Sequence, residues 1–579
     1  MSGGRFSLGA NYWSRAGGPR MWTRFDRLRV REELGWARDM GLDTLRSFLY
    51  WPDLEPAPRV MDEEVWKHVG EFLEDVEETG LNTWVTLLVG HMSGQNWDPP
   101  WREGRDLWTD ESMLQETEWW LGECGRRLGG SSAVAGFVMT NEWPLWSGPT
   151  RPPLARTWIR RMVAAVRQGD ASAHPISWGD GLWSGFGAPN GISREVVEAH
   201  TDVVGPHVYP ESADPLEVAF SAYEAVAMAR GARPVLLEEF GTTDAFGTRA
   251  SQAAYYRSAL AGALLGGALG AWGWCLTDFK LPHDAPYSHH AFELRFGLVT
   301  EDGVPKETSH AMRAFRPVAD GFGPVATDPV AVLVPAVQSG DMPFPRGPEA
   351  PLVTGVARRM LRQLAQLGYN PRVVREPMPV FGQVEQPDVA IDLSDVRLVF
   401  CAAPRVGEPL REQLWDWVAA GGHLYLAYSD SPWWPDPEEQ VGVSFAGPYG
   451  WRPRLDGEHV WRWGSEWRRI GAREVPYRRA GAWGRHRRVF GGRAGAVCQA
   501  AWCGLHDVGR CRARTHPGHP ARPLPRHGEG CRRRSRRGPP ARGNAVRAVH
   551  DRKSSGGESR GGPGHVRDED DRWTVVPDT

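Results

Sequence analysis

From residue 6 to about 320, short apolar runs alternate with longer stretches in which apolar residues recur every three or four positions. The short runs are 6-FSLGAN, 43-DTLRSF, 82-NTWVTLLV, 134-VAGFVMT, 175-PISWG, 202-DVVGPHV, 234-PVLLEEF and 271-AWGWCL. They have the length and the β-branched and aromatic content of buried parallel strands. The longer stretches, such as 26-DRLRVREELGWARDM-40, 62-DEEVWKHVGEFLEDVEETG-80 and 213-ADPLEVAFSAYEAVAMARG-231, read as amphipathic helices, several opened by Asp and closed by Gly. Eight strand–helix units in about 300 residues predict an α/β fold of the (β/α)8 barrel type, over residues 1–322. An open doubly wound sheet is the rival, but no G-x-G-x-x-G follows the first strand.

A second alternating block starts near residue 329. Strand-like 329-PVAVLVPA, 371-PRVVRE, 397-RLVFCAAP and 423-HLYLAY are separated by helix-like 354-TGVARRMLRQLAQLGYN-370 and 408-EPLREQLWDWVAAGG-422. This order predicts a smaller parallel α/β domain over 329–435, followed by a partly β-rich or linking segment over 436–477. The eighteen-residue apolar stretch 259-ALAGALLGGALGAWGWCL-276 has the length of a membrane span. Its five glycines and its strand-like end point instead to a buried helix running into a buried strand.

Composition changes the picture at the C-terminus. Residues 478–579 hold 23 Lys plus Arg against 9 Asp plus Glu, an excess of 14 positive charges that leaves residues 1–477 at −17 within the total of −3. A basic nucleic-acid-binding arm, plain disorder and a slipped reading frame are the three readings of this Arg-, Gly- and Pro-rich tail. Aromatic interleaving for base stacking is nearly absent, which counts against nucleic acid. Elsewhere, 41% hydrophobic residues indicate a globular chain, and 29 Trp supply flat faces of the kind that pack on sugar rings. The first residues, MSGGRFSLGANYW, lack a basic region followed by an apolar one, so a cytoplasmic protein is expected. The seven Cys form no C-x-x-C pair, so neither a zinc site nor a disulfide framework is indicated.

Catalytic groups in such barrels sit at the C-terminal ends of strands. Here those ends carry Arg46, His91, Asn141 and Glu142, His207 and Tyr209, Glu238 and Glu239, and Trp274. Carboxylates on the fourth and seventh strands face each other across the mouth. Retaining glycoside hydrolysis needs such a pair about 5–5.5 Å apart, one carboxyl as proton donor and the other as nucleophile. Glu142 fits the acid/base, kept protonated by a neighbouring carboxylate and partial burial; Glu239 fits the nucleophile, kept ionised by Arg46 and the Tyr209 hydroxyl. Asn141 is placed to bond a sugar 2-hydroxyl, and His91 to contact substrate or support those that do. Trp97, Trp101, Trp143, Trp146 and Trp183 lie in expected mouth loops and are candidate sugar platforms. No metal or organic cofactor is expected, because carboxyl groups and water suffice.

With these residues in place, the region 6–320 resembles the clan A glycoside hydrolase barrels, closest to family 5 and its mannanase-like or cellulase-like members. The resemblance is carried by 141-NE, 239-EFG, 207-HVY, Arg46, Trp274, and the segments 9-GANYW and 90-GHMSGQNW. It implies a retaining mechanism and selects Glu239 over Glu238; strand alternation independently allows only one of these neighbours to point into the mouth. It further implies a β-linked oligosaccharide or glycoside as substrate, β-mannoside first, then β-glucoside or β-galactoside. Residues 329–430 resemble, by pattern alone, the amidotransferase-like module that follows the barrel of family 42 β-galactosidases, which implies a role in homo-oligomer assembly. Cys401 lacks a glycine-flanked elbow there and reads as a small buried hydrophobe. A barrel that binds carbohydrate without turning it over is the alternative from another class.

Overall fold

The computed structural model describes residues 5–323, 325–342, 350–379, 390–403 and 405–426 in full, and beyond them the backbone of five short strands between 443 and 498. Eight parallel strands form one sheet: β1 (Ser7–Tyr12), β2 (Thr44–Phe48), β3 (Asn82–Leu88), β4 (Val134–Thr140), β5 (Ile176–Ser177), β6 (His207–Val208), β7 (Leu237–Phe240) and β8 (Gly270–Gly273). Their spatial order is β5-β4-β3-β2-β1-β8-β7-β6. Parallel bridges from Ser177 to Val203 and from Gly181 to Pro206 join the two ends, so the sheet closes on itself. The outer ring is α1 (Arg27–Asp39), α2 (Glu63–Thr79), α3 (Glu111–Leu128), α4 (Pro152–Gly169), the short α5 (Arg194–Glu198), α6 (Pro215–Ala229), α7 (Arg249–Gly266) and α8 (Glu307–Gly321). This is the (β/α)8 barrel that the alternation of patterns predicts.

Local chemistry sets the helix ends. The Asp26, Asp62 and Asp214 carboxylates accept from backbone N–H groups of the first turns of α1, α2 and α6. Gly80 ends α2 in the left-handed region at φ 77°. The apolar stretch 259–276 divides as its glycines suggest: α7 ends at Gly266 and β8 begins at Gly270. Among the described residues no helix is long and apolar enough to cross a membrane.

Inside the barrel, Trp84, Val138, Val203, Leu236 and Trp272 make an apolar plug, with the Trp84 and Trp272 ring centroids 5.6 Å apart. Polar groups above this plug therefore gather at the C-terminal mouth, because nothing beneath can solvate them.

The second block forms a parallel sheet of β9 (Val330–Val334), β10 (Arg372–Arg375), β11 (Leu398–Cys401) and β12 (His423–Leu426) in the order β10-β9-β11-β12, and Val497–Cys498 pairs along β12. Helices α9 (Glu349–Gln366) and α10 (Glu408–Ala419) flank it. Tyr223, Ala227 and Met228 of α6 pack with Val353, Ala357 and Leu361 of α9 in one apolar cluster. Arg358 donates to Glu224 at 2.7 Å and Gln338 to the Gly185 carbonyl at 2.8 Å. One face of the second sheet is thus covered by the barrel's own outer helix through α9. Of the 436–477 segment only short strands are described, among them the antiparallel pair Glu458–Trp463 and Glu466–Gly471. The basic tail, apart from two short strand pieces, lies outside the described residues.

Candidate active site

The carboxylate on β4 is delivered by an unusual backbone. After Thr140 the chain turns sharply, and Glu142 sits at φ 46°, ψ 48°, a left-handed conformation that costs a non-glycine residue energy and concentrates at functional sites. The Glu142 N–H donates to the Gly179 carbonyl at 2.7 Å, which fixes the turn against the neighbouring strand end.

On β7 the expected strict alternation fails. Leu237 pairs with Ala271 and Phe240 with Gly273, so three steps on β7 match two on β8. Such a bulge re-aims a side chain. Glu238 points into the barrel beneath the mouth, where Gly205 makes room: a Cβ there would lie 1.9 Å from the Glu238 carboxyl carbon. Glu239 nevertheless also reaches the mouth. Both neighbours therefore approach His207, Glu238 at 3.7 Å and Glu239 at 3.5 Å, so alternation alone does not choose between them.

Glu239 is gripped from two sides. Arg46, fully buried, places Nη1 2.5 Å from Glu239 Oε1, and the Tyr209 hydroxyl donates to Oε2 at 2.7 Å. Burial and the Glu239 charge push the Tyr209 phenol well above its ordinary range, so it remains a donor. Arg46 is oriented in turn by Thr86 Oγ1 at 3.0 Å, Asn141 Oδ1 at 2.9 Å and Asn11 Oδ1 at 3.3 Å. Asn11 also donates to the Glu238 carbonyl at 3.0 Å. It is a site residue that sequence reasoning passed over, although it stands inside the 9-GANYW segment.

Glu142 lies beside His207, whose Nδ1 is 3.0 Å from Oε1, and 3.9 Å from His91 Nε2. Burial alone would raise the Glu142 carboxyl and lower the His207 imidazole. The charges win in both cases: Glu142 is lowered by the His207 hydrogen bond and by the positive groups around it, and His207 is pushed up to about 10 by Glu239 and Glu142, with Glu238 at 3.7 Å on its other nitrogen. Glu142 and His207 thus form one hydrogen-bonded acid–base pair at the mouth.

The remaining candidates are placed as follows. Asn141 is buried, with Nδ2 donating to the His91 carbonyl at 2.8 Å, and His91 Nδ1 meets Asn96 Oδ1 at 2.6 Å. Trp274 sends its indole N–H to Glu293 Oε2 at 3.2 Å. Trp97 is partly exposed and meets the Tyr50 ring edge-on. Trp143 is corrected: it is 0% exposed and enclosed by Trp108, Trp146 and Trp158, so no ring face is open to a sugar. A helical turn at Trp143–Ser147, begun by Pro144, rotates it into the wall. Glu293 is a buried carboxyl that the strand-end argument could not find, because it lies far along the loop after β8, whereas Asp180, which directly follows 175-PISWG, was passed over; burial pushes each up to about 7.

Oxygen and nitrogen atoms of Glu142, His207 and Glu239 lie within 4.8 Å of one another, a spacing compatible with a metal ion. The same atoms are already paired with one another and with protein: Arg46 Nη1 with Glu239 Oε1 at 2.5 Å and His207 Nδ1 with Glu142 Oε1 at 3.0 Å.

The fold recurs among solved structures. An exo-β-1,4-mannosidase from Opitutaceae bacterium strain TAV5 matches with a TM-score of 0.71 at 23% identity, over 86% of this chain and 91% of its own. A GH5_18 variant from Streptomyces cattleya in complex with Manβ1-4GlcNAc matches at 0.57 and 21%, over 64% of this chain and 94% of its own. A β-galactosidase from the psychrophilic Marinomonas ef1 matches at 0.57 and 13%, over 82% and 85%. No family model matches the sequence, and no curated protein matches it.

Proposed function

We propose that this protein is a retaining β-glycosidase, acting on β-mannosides by preference, with Glu239 as nucleophile and Glu142 as acid/base. The observation that carries the reading is the juxtaposition of two carboxylates from opposite sides of the mouth, with oxygens within 4.8 Å and opposite surroundings. Direct attack by one carboxylate requires that closeness, whereas a water between them requires about 6.5–9.5 Å. Arg46 and Tyr209 grip both oxygens of Glu239 and aim it into the mouth. The proton for the leaving oxygen comes from the His207–Glu142 pair, transferred along their 3.0 Å hydrogen bond as a bound sugar displaces water. In the second half-reaction Glu142 takes a proton from water, which attacks the glycosyl–Glu239 ester.

The preference for mannoside follows from the names of the mannosidase neighbours and from the family 5 resemblance, and β-glucoside and β-galactoside come next. We assign residues 1–322 to catalysis and 329–435 to an accessory role in assembly of copies, with a cytoplasmic address. Initial rates on 4-nitrophenyl β-mannoside, β-glucoside and β-galactoside test the reading. Turnover of one sugar, lost in both Glu142→Gln and Glu239→Gln with folding intact, is the expected result. A folded protein that binds mannosides but turns over no glycoside of any length would leave the barrel a carbohydrate-binding module and refute the enzyme.

A further inference from the structure

Glu293 is 9% exposed, yet both its hydrogen bonds fall on one oxygen: Oε2 accepts from Ser93 Oγ at 2.9 Å and from Trp274 Nε1 at 3.2 Å. Oε1 has no partner among the described residues and is not sealed from solvent. A carboxyl half-satisfied in a nearly buried site is costly unless something else completes it. The strands explain where that something would come from. β4, which carries Glu142, and β8, whose loop carries Glu293, stand half a turn apart around the barrel. If the leaving group lies on the Glu142 side, the sugar ring that Glu239 attacks extends toward Trp274 and Glu293.

The loop is built to hold this carboxyl still. Buried Lys306 donates to the Arg295 carbonyl at 3.1 Å and to Asp278 at 2.7 Å; Arg295 pairs with Asp244 at 3.1 Å; and Thr243 donates to the Phe292 carbonyl at 3.0 Å. Across from it, the hairpin His91–Met92 and Gln95–Asn96 touches the same loop through Ser93 and through Gln95 Oε1, 2.9 Å from His289 Nε2. The β3 and β8 loops thereby meet in a wall beside Glu293.

Resting on the β-glycosidase reading above, we propose that Glu293 is the specificity-determining residue that binds hydroxyls at the non-reducing end of the glycon, and that the wall beside it restricts the enzyme to chain ends. Its Oε1 accepts from a sugar hydroxyl, while Oε2 stays held by Ser93 and Trp274.

The test uses the full chain, with Glu293→Ala and Glu293→Gln, on 4-nitrophenyl β-mannoside and its 3-, 4- and 6-deoxy analogues, with methyl β-mannoside binding read by tryptophan fluorescence in parallel. On the parent glycoside, Glu293→Ala is expected to lose about 10²-fold or more in kcat/KM, and less than about threefold on the deoxy analogue that lacks the contacted hydroxyl. Glu293→Gln, which keeps the shape, is expected to recover part of the loss. Equal losses on all four glycosides would overturn the proposal and leave Glu293 a structural group. Mannotriose is expected to release only mannose at first; mannobiose as the first product would overturn the chain-end restriction. If the wild type turns over none of these, the mannoside preference falls, and the binding arm then decides: weaker methyl β-mannoside binding in Glu293→Ala upholds the contact, while unchanged or absent binding refutes it.

Discussion

The barrel mouth and the corresponding edge of the second sheet are built alike, from parallel strands whose C-terminal ends face outward, and they use those ends differently. At the mouth, Arg46, Glu239, Tyr209, His207 and Glu142 contact one another in a chain of polar partners. At the second edge, Glu376 spends its carboxyl on the backbone N–H groups of Ala336, at 2.7 Å, and Gly407. Cys401 is 0% exposed, and its Sγ is 2.9 Å from the Ala403 carbonyl. Polar groups of the first set hold one another ready for a third party; those of the second hold loops. A strand end is a place where chemistry can be mounted, and only convergence from several strands makes it a site.

The contrast can be broken most forcefully at the carboxylates. Glu239→Gln and Glu142→Gln are each expected to lower kcat on a β-mannoside by about 10³-fold or more, since nucleophile and proton donor each supply a large share of the barrier reduction. Cys401→Ala should leave kcat within about twofold, as measured on the same substrate. Arg46→Met comes next: it strands the buried Glu239 charge, so chemical denaturation is expected to show a loss of about 3–5 kcal/mol, alongside lost turnover. Trp143→Ala should cost about 3–5 kcal/mol by cavity formation within its Trp cluster. Because the ring is buried, its KM on short substrates should stay nearly unchanged.

A subtler effect comes from pH. His207 rises from 6.5 to about 10 on folding, so its contribution to stability is complete below pH 6.5 and is lost as pH climbs through 10. Denaturation midpoints between pH 6.5 and 10 should therefore fall in the wild type and flatten in His207→Asn. In kcat/KM profiles the alkaline limb of His207→Asn should move acidward by more than about one pH unit, since Glu142 alone binds the proton less tightly than the pair. An unmoved limb would place the proton elsewhere.

The sequence by itself determined the alternation of elements, the barrel class and the strand ends that carry Arg46, Asn141, Glu142, His207, Tyr209 and Glu239. Period-2 and period-3.6 patterns are local, and a buried strand that ends in charged residues advertises itself. Only the tertiary structure decided which groups share a hydrogen bond, because Glu142 and His207 meet across 65 positions of chain. It alone brought both Glu238 and Glu239 up to His207, through a bulge that no alternation rule foresees, and turned Trp143 into the wall. Glu293 stayed illegible for the same reason, since it acquires its role from partners on other loops and chain order carries no record of which loops close over which strand ends; Asn11, at the end of 6-FSLGAN, was legible by the strand-end rule and was passed over.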